Sequence, residues 1–198
     1  MRDCSHCTPV LRTLLVLDAL FAVAAFGLRT LLHWRRTGDS GWRLGRPHSG
    51  AEGLARALML ASAPLLLAAL WRDGPTHSPL GLGLMLAGLG LALAAQWNMG
   101  AAWRIGVDPA ERTELVRRGL YRSIRNPIYS GMLLFVAGQA LLTPGAWAGA
   151  ALAALALGVE LQVRGVEEPY LAATHGARFA EWAAQAGRFA PFVGRLRR

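Results

Sequence analysis

The chain has 198 residues, of which 54% are apolar and 17% charged. This balance excludes an ordinary soluble domain, and apolar stretches near the ~20 residues needed to cross a bilayer indicate an integral membrane protein. The formal net charge is +9, and every basic residue is arginine. The absence of lysine excludes Schiff-base enzymes and P-loop phosphate binders. The cytoplasmic arginine bias of membrane proteins explains the basic excess, so no nucleic-acid partner is expected.

Five apolar runs predict five transmembrane helices: Val10–Leu32, Leu54–Trp71, Leu80–Trp97, Ile128–Leu142 and Trp147–Val159. The predicted fold class is all-α, a polytopic membrane helical bundle forming one domain over residues 1–198. Residues 10–98 hold three spans, and residues 99–198 hold a catalytic loop, a helical hairpin and a cytoplasmic tail helix. Arginine is concentrated at 33–56, 99–127 and after 163, which predicts that these regions are cytoplasmic and the amino terminus is outside.

Several features of the amino-terminal half receive no catalytic role. Asp18 lies within the first span, where a carboxyl group is either functional or pairs with a neighbouring helix. Cys4 and Cys7 have the spacing of half a zinc site, but no second Cys/His pair follows at finger spacing, so no metal site is predicted. Small residues of the third span are expected to permit close helix approach: Gly81, Gly83, Gly88 and Gly90.

A polar stretch at residues 115–129 separates the third and fourth spans. Gly119 favours a tight turn and Pro127 favours the first turn of a helix. The pattern therefore predicts a loop that delivers Arg125, Asn126 and Tyr129 to the mouth of the fourth span.

A second polar cluster ends the fifth apolar run and comprises Glu160, Arg164, Glu167 and Glu168. If the two hairpin helices extend through Asn126 and Glu168, both clusters lie at the same cytoplasmic end of adjacent helices. Spacing alone also permits a simpler interpretation, in which these charges only anchor the helices.

The order of motifs resembles that of the isoprenylcysteine carboxyl methyltransferase family and the related phospholipid methyltransferases. The motifs are Gly-Leu-Tyr-Arg-x-x-Arg-Asn-Pro-x-Tyr from Gly119, an apolar hairpin, Glu-Glu-x-x-Leu, His-Gly-x-x-Phe and Arg-Phe-x-Pro. A segment from Met99 to Asp108 resembles bacterial members, and the resemblance covers the chain from about Gln96 onwards. Asn126 replaces the usual histidine, and an amide donates hydrogen bonds without titrating.

The resemblance implies methyl transfer from S-adenosylmethionine, with S-adenosylhomocysteine as the product. Arg125, Asn126, Tyr129 and Glu168 are the implied catalytic residues. The implied cofactor-binding residues are Arg104, Leu120, Tyr121, Arg125, Asn126, Pro127, Tyr129, Glu167, Glu168, Tyr170, Arg188 and Phe189. In this scheme Glu167 and Glu168 bind the cofactor's amino group and ribose, whereas Arg125 or Arg104 binds its carboxylate. Aromatic side chains wall the adenine and the sulfonium.

The expected partners are membrane lipids and a lipophilic acceptor, either a small molecule or a prenylated protein. The sequence does not decide whether the reacting group of that acceptor is a carboxylate, a thiol or an amine. It does not decide the oligomeric state either. The expected location is the cell inner membrane, with the site and the carboxyl terminus cytoplasmic. Two alternatives are an NADPH-dependent reductase of the sterol-reductase type and a non-catalytic membrane protein. The apolar side chains of Leu171, Phe179 and Trp182 predict a tail helix lying on the membrane surface.

Overall fold

A computed structural model describes residues 7–45, 47, 49–108 and 111–196, which places Cys4 outside the described residues. Within these ranges the chain forms helices and isolated β-bridges, and no β-strand. The α-helices are α1 (Cys7–Ala22), α2 (Arg29–Thr37), α3 (Gly50–Arg72), α4 (Pro79–Met99), α5 (Pro127–Leu142), α6 (Ala146–Gln162), α7 (Glu168–His175) and α8 (Ala177–Gln185). Two π-helical turns, Val23–Leu28 and Val163–Glu167, join α1 to α2 and α6 to α7, and short 3₁₀ turns occupy Gly100–Ala102 and Gly119–Arg122.

In the part of the chain that the structure describes, four helical segments are long and apolar enough to cross a membrane: Thr8–Thr37, Gly50–Arg72, Pro79–Ala102 and Ala146–His175. Pro127–Leu142 is a shorter apolar helix. The prediction of an all-α polytopic membrane bundle with a carboxyl-terminal hairpin is therefore confirmed. The last span continues well past its apolar run, because the π turn after Gln162 carries the helix on to His175.

The α4–α5 crossing depends on glycine. A Cβ atom added at Gly88 would lie 2.5 Å from the Gly131 carbonyl oxygen, and one added at Gly81 would lie 2.7 Å from that of Gly138. Glycine at these positions lets the two backbones touch. Gly83 and Gly90, predicted to act in the same way, have no atom within 4 Å of an added Cβ. Half of the predicted glycine set therefore makes the close approach.

Asp18 has a partner on a neighbouring helix. The side-chain amide of Gln139 on α5 donates a hydrogen bond of 3.1 Å to Asp18 Oδ2 on α1. Gln139 is fully buried. This contact supports the interpretation in which Asp18 joins two spans.

The tail helix α8 packs against protein. Phe179 and Trp182 are buried with Leu115 and Tyr121 in one apolar cluster, and the Trp182 indole donates a 2.8 Å hydrogen bond to the Tyr121 carbonyl oxygen. The prediction that this apolar face lies on the membrane surface was wrong, because the loop before α5 covers the face. The tail is thereby held against the polar motif.

Candidate active site

The loop before α5 and the segment after α8 are joined by backbone hydrogen bonds. The Arg125 amide donates to the Gly187 carbonyl oxygen (2.8 Å), and the Gly187 amide donates to that of Ser123 (3.0 Å). The backbone and side-chain amides of Asn126 both donate to the Arg188 carbonyl oxygen, each at 3.1 Å. This pairing brings the tail residue Arg188 beside the polar motif, although they are about sixty residues apart in the chain.

Glu168 lies between two arginines. Its Oε1 atom accepts from Arg125 Nη2 (2.8 Å), Arg125 Nε (3.1 Å) and Arg188 Nε (3.0 Å), while its Oε2 atom accepts from Arg188 Nη2 (2.9 Å). We call these three residues the inner network. The hydrogen bonds to Glu168 raise the pKa of Arg188. The contacts satisfy both oxygens of the carboxylate with charge-assisted hydrogen bonds.

Arg125 uses all five of its N–H groups within the protein. Besides its two bonds to Glu168, Nη1 donates to the carbonyl oxygens of Ala183 (3.0 Å) and Ala186 (2.5 Å), and Nη2 donates to that of Gly194 (2.9 Å). A guanidinium has five such donors. The predicted contact of Arg125 with a cofactor carboxylate therefore requires some of these bonds to break, and it stays a prediction.

Glu167 has different surroundings from its neighbour Glu168. The Tyr129 hydroxyl donates a 2.6 Å hydrogen bond to Glu167 Oε1, and the Gln162 side-chain amide donates to the same oxygen at 3.4 Å. Within the described part of the chain, Oε2 accepts no hydrogen bond. Adjacent helical residues point about 100° apart, so one carboxylate contacts α5 while the other contacts the tail. Glu167 therefore keeps one oxygen available for a ligand.

Tyr121 belongs to the 3₁₀ turn Gly119–Arg122, which contacts the end of α4. The Leu120 amide donates a 2.8 Å hydrogen bond to Asn98 Oδ1, which ties the 3₁₀ turn to the end of α4. Burial raises the pKa of Tyr121; the Glu167 carboxylate raises it further and the Arg29 guanidinium lowers it. Tyr121 packs with Ala95 of α4 in one apolar cluster, so its ring lies against the end of that helix.

Two other predicted residues, Pro127 and Phe189, lie in α5 or contact it. Pro127 is its first residue and is buried. The Phe189 side chain packs beside Tyr129 in the cluster around Val159, and its carbonyl oxygen accepts a 2.6 Å hydrogen bond from the Ser130 hydroxyl. These contacts place Phe189 next to the Tyr129–Glu167 pair, as an aromatic wall of the site requires.

Arg104 and Tyr170 meet at Glu111, a residue that the sequence analysis did not single out. Arg104 Nε donates to Glu111 Oε2 (3.2 Å), and the Tyr170 hydroxyl donates to the Glu111 carbonyl oxygen (2.5 Å). Arg43 Nε donates to Glu111 Oε1 (2.8 Å) and Arg43 also pairs with Asp39. We call Arg43, Glu111 and Arg104 the outer network.

The hydrogen bond from Arg43 holds the pKa of Glu111 below its usual range, and Arg104 contributes to this shift. The members of the outer network come from two separate loops, so sequence spacing does not connect them. A glutamate within an arginine-rich loop is the one hint that the sequence offers.

An open depression of about 350 Å³ lies elsewhere, lined by Arg117, Arg122, Glu181, Trp182 and Gln185. None of the predicted site residues lines it. It is a polar surface feature on α8. The inner network and Glu167 are better placed for chemistry because they converge and are buried or partly buried.

Comparisons with known proteins agree with this architecture. The family model described as phospholipid methyltransferase matches residues 77–178, just over half of the 198-residue chain. The structure is similar to that of the eukaryotic intramembrane Ras methyltransferase ICMT, an isoprenylcysteine carboxyl methyltransferase. The TM-score is 0.65 at 21% identity, covering 99% of this chain and 71% of that one. At this identity the likeness shows the fold. No curated protein matches the chain by sequence.

Proposed function

The chain belongs to the phospholipid methyltransferase family, and on that premise we propose that it transfers a methyl group from S-adenosylmethionine to a lipophilic acceptor. The reaction would take place at the cytoplasmic end of the α5–α6 hairpin. The arginine-rich loops support a topology in which this end is cytoplasmic, the amino terminus is outside and the membrane is the cell inner membrane.

The observation that carries the proposal is the convergence of Tyr129, Glu167 and the inner network at one end of the hairpin. Tyr129 belongs to α5 and Glu167 to the π turn after α6, and their side chains meet at 2.6 Å. The inner network lies immediately beside them because Arg125 precedes α5 and Glu168 follows Glu167. Two predicted clusters that are about forty residues apart thus form one site.

The residues present fit the cofactor. S-adenosylmethionine, when bound, supplies a methyl group on a positively charged sulfur, which is already reactive towards a nucleophile. Glu167 offers a free carboxylate oxygen, and the side-chain amide oxygen of Gln162 (Oε1) is buried without a hydrogen-bond partner. Both are acceptors suited to an ammonium group or ribose hydroxyls.

The remaining residues position these groups and exclude water. Tyr121, Tyr129 and Phe189 supply aromatic surface for a purine and for a cation. Asn126 holds the tail through the Arg188 carbonyl oxygen, and Tyr170 holds the loop containing Glu111. Held in this way, the tail and the loop would help to exclude water from the site, which favours alignment of the reacting atoms in a dry environment.

The site constrains how an acceptor is activated. A carboxylate acceptor needs no general base, whereas an amine or hydroxyl acceptor does. Glu168 is one of the implied catalytic residues and would be a candidate base, but two guanidiniums occupy both of its oxygens. Glu167, with its free oxygen, is better placed to accept a proton. The acceptor is expected to approach from the lipid phase, as befits a lipophilic molecule.

Calorimetric titration of the purified protein with S-adenosylhomocysteine tests the proposal. We expect saturable binding that Glu167→Ala weakens about tenfold or more, because a charge-assisted hydrogen bond is lost. Glu160→Gln is the matched control, since Glu160 is exposed and pairs with Arg164 outside the site. Absence of binding, or full binding by Glu167→Ala, would contradict the proposal.

The acceptor can be found with an isotope-labelled methyl donor. Lipid extracts and a prenylated cysteine would be incubated with the protein and donor, and labelled products identified by mass spectrometry. NADPH binding in place of S-adenosylhomocysteine binding would instead favour the reductase alternative.

A further inference from the structure

Arg29 is a buried arginine to which the proposed function assigns no role. It is the first residue of α2, after the π turn at Val23–Leu28, and lies in the carboxyl-terminal half of the first span. Its exposed fraction is 7%. A guanidinium at this depth is costly unless its charge and its N–H groups find partners.

The partners of Arg29 are incomplete. Nη2 donates a 2.5 Å hydrogen bond to the Gly100 carbonyl oxygen, and the guanidinium carbon lies 5.1 Å from the centre of the Trp103 ring. Nε is buried and has no hydrogen-bond partner. Among the described residues, no carboxylate lies within ion-pair distance of Arg29. It thus carries a charge and unused donors in the interior.

Gln96 on α4 provides a second unpartnered group. Its side-chain amide donates a 3.0 Å hydrogen bond to the carbonyl oxygen of Ala25, one helical turn before Arg29. The side-chain carbonyl oxygen of Gln96 is buried without a partner, and the residue is 4% exposed. A free donor and a free acceptor therefore lie on neighbouring helices at the same level of the bundle.

This polar spot adjoins the proposed active site. Ala95 and Met99, on either side of Gln96, pack in the same cluster as Tyr121. The Leu120 amide, next to Tyr121 in the chain, donates a hydrogen bond to Asn98 at the same end of α4. The carboxyl-terminal end of α4 therefore contacts both the polar spot and the turn that carries Tyr121.

We propose that Arg29 and Gln96 form a carboxylate-binding subsite of the active site. In this subsite Arg29 binds a ligand carboxylate. The inference rests on the proposed function and adds to it the residue that recognises negative charge. Arg29 and Arg125 are the two buried arginines of the described chain. All five N–H groups of Arg125 are engaged by protein, whereas Arg29 retains free ones.

The carboxylate has two sources. It belongs either to the amino-acid part of the methyl donor or to an acidic lipophilic acceptor, and the chemistry of recognition is the same. A guanidinium presents parallel N–H groups that match the two oxygens of a carboxylate. The Gln96 carbonyl oxygen then accepts a hydrogen bond from the neighbouring ammonium or amide of the same ligand.

The test compares Arg29→Met with Arg29→Lys, Gln96→Leu and a control, Arg36→Met. Arg36 is an exposed arginine of the same helix that stacks on Trp97. Each full-length protein would be titrated with S-adenosylhomocysteine and with 5′-methylthioadenosine, which lacks the amino-acid part. A second pair of probes would be N-acetyl-S-farnesylcysteine, a lipophilic carboxylate, and its methyl ester.

If the donor carboxylate occupies the subsite, Arg29→Met weakens S-adenosylhomocysteine binding about tenfold to a hundredfold, and Arg29→Lys restores part of it. Binding of 5′-methylthioadenosine stays within about twofold of wild type, which also shows that the variant is folded. If the acceptor occupies it, the loss appears with farnesylcysteine and not with its ester.

Unchanged binding of both carboxylates by Arg29→Met would overturn the inference and leave Arg29 as a helix anchor. An equal loss in Arg36→Met would overturn it as well. A wild-type protein that binds neither nucleoside would refute the proposed function instead, so the two failures are distinguishable.

Discussion

The inner and outer networks share one design, a glutamate held between two arginines, but differ in their access to solvent. In the inner network the side chains of Arg125, Glu168 and Arg188 are 2%, 12% and 11% exposed. In the outer network those of Arg43, Glu111 and Arg104 are 18%, 33% and 23% exposed. The same arrangement of one glutamate between two arginines can therefore serve two purposes, depending on how far it is exposed to solvent.

Burial makes the inner network costly to disturb. Removing one member of a buried ion pair leaves an uncompensated charge, whereas an exposed pair is screened by water and contributes little. The inner network therefore holds the tail on the hairpin, and the outer network holds two surface loops together with small energetic effect.

The largest effect is expected from Arg125→Met. It leaves Glu168 partly unpaired and frees the carbonyl oxygens of Ala183 and Ala186, so we expect a loss of about 3–5 kcal/mol in the free energy of unfolding. Thermal unfolding and trypsin cleavage of the tail would measure it. Arg122→Met, which changes an exposed arginine three residues away, is the control and should match wild type. Equal stability of the two variants would contradict this account of the inner network.

A second change acts on the helix beneath the inner network. Gly88→Ala places a methyl group 2.5 Å from the Gly131 carbonyl oxygen, so α5 must shift together with Arg125 at its start. We expect a loss of about 1–3 kcal/mol in unfolding free energy, together with weaker S-adenosylhomocysteine binding. Gly90→Ala has open space around the new methyl group and should change neither quantity. Similar results for both variants would show that the crossing is looser than described.

A matched pair of tyrosines separates the two networks by function. Tyr129→Phe removes the hydroxyl that donates to Glu167 beside the inner network, and we expect S-adenosylhomocysteine binding to weaken about tenfold. Tyr170→Phe removes a hydroxyl that donates to the Glu111 carbonyl oxygen of the outer network. It should change binding by less than about threefold. The reverse order in calorimetric titration would place the cofactor nearer the outer network.

The smallest effect is expected from Arg43→Met at neutral pH, about 1 kcal/mol or less in unfolding free energy, because the outer network is solvent-exposed. The pKa of Glu111 and that of Asp39 are both lowered in the folded protein by hydrogen bonds from Arg43. A lowered folded pKa stabilises the fold above the unfolded pKa, and this contribution disappears as the pH falls through the folded pKa.

The stability difference between wild type and Arg43→Met should therefore be present at pH 7 and shrink below about pH 4, the ordinary range of carboxyl groups. Thermal unfolding at the two pH values measures it. A difference that grows on acidification would mean that the carboxylates are not held by Arg43.

The membrane architecture could be predicted from the sequence. A segment that crosses the hydrocarbon core must be about twenty apolar residues long and must satisfy its own backbone hydrogen bonds, which a helix does. The hairpin and the placement of its polar ends followed for the same reason. The family resemblance added the motif order from Gly119 to Arg188, and the family match agrees with it. The individual site roles remain predictions.

Contacts between segments that are distant in the chain could not be predicted from the sequence. The apolar face of α8 suits a membrane surface and a protein surface equally well, and the tertiary structure placed Phe179 and Trp182 against Tyr121. Gly88 and Gly90 differ only in which side of α4 faces α5. In the same way, the number of free donors on Arg125 and Arg29 depends on carbonyl groups far along the chain.

The sequence by itself determined which segments are apolar enough to cross the membrane and which chemical groups stand at their ends, because both depend on local composition and period. Only the tertiary structure decided which of those groups are satisfied by protein and which are left for a ligand. Hydrogen-bond partners are assigned by three-dimensional proximity, and residues as distant as Arg125 and Gly194 meet only once the chain has folded.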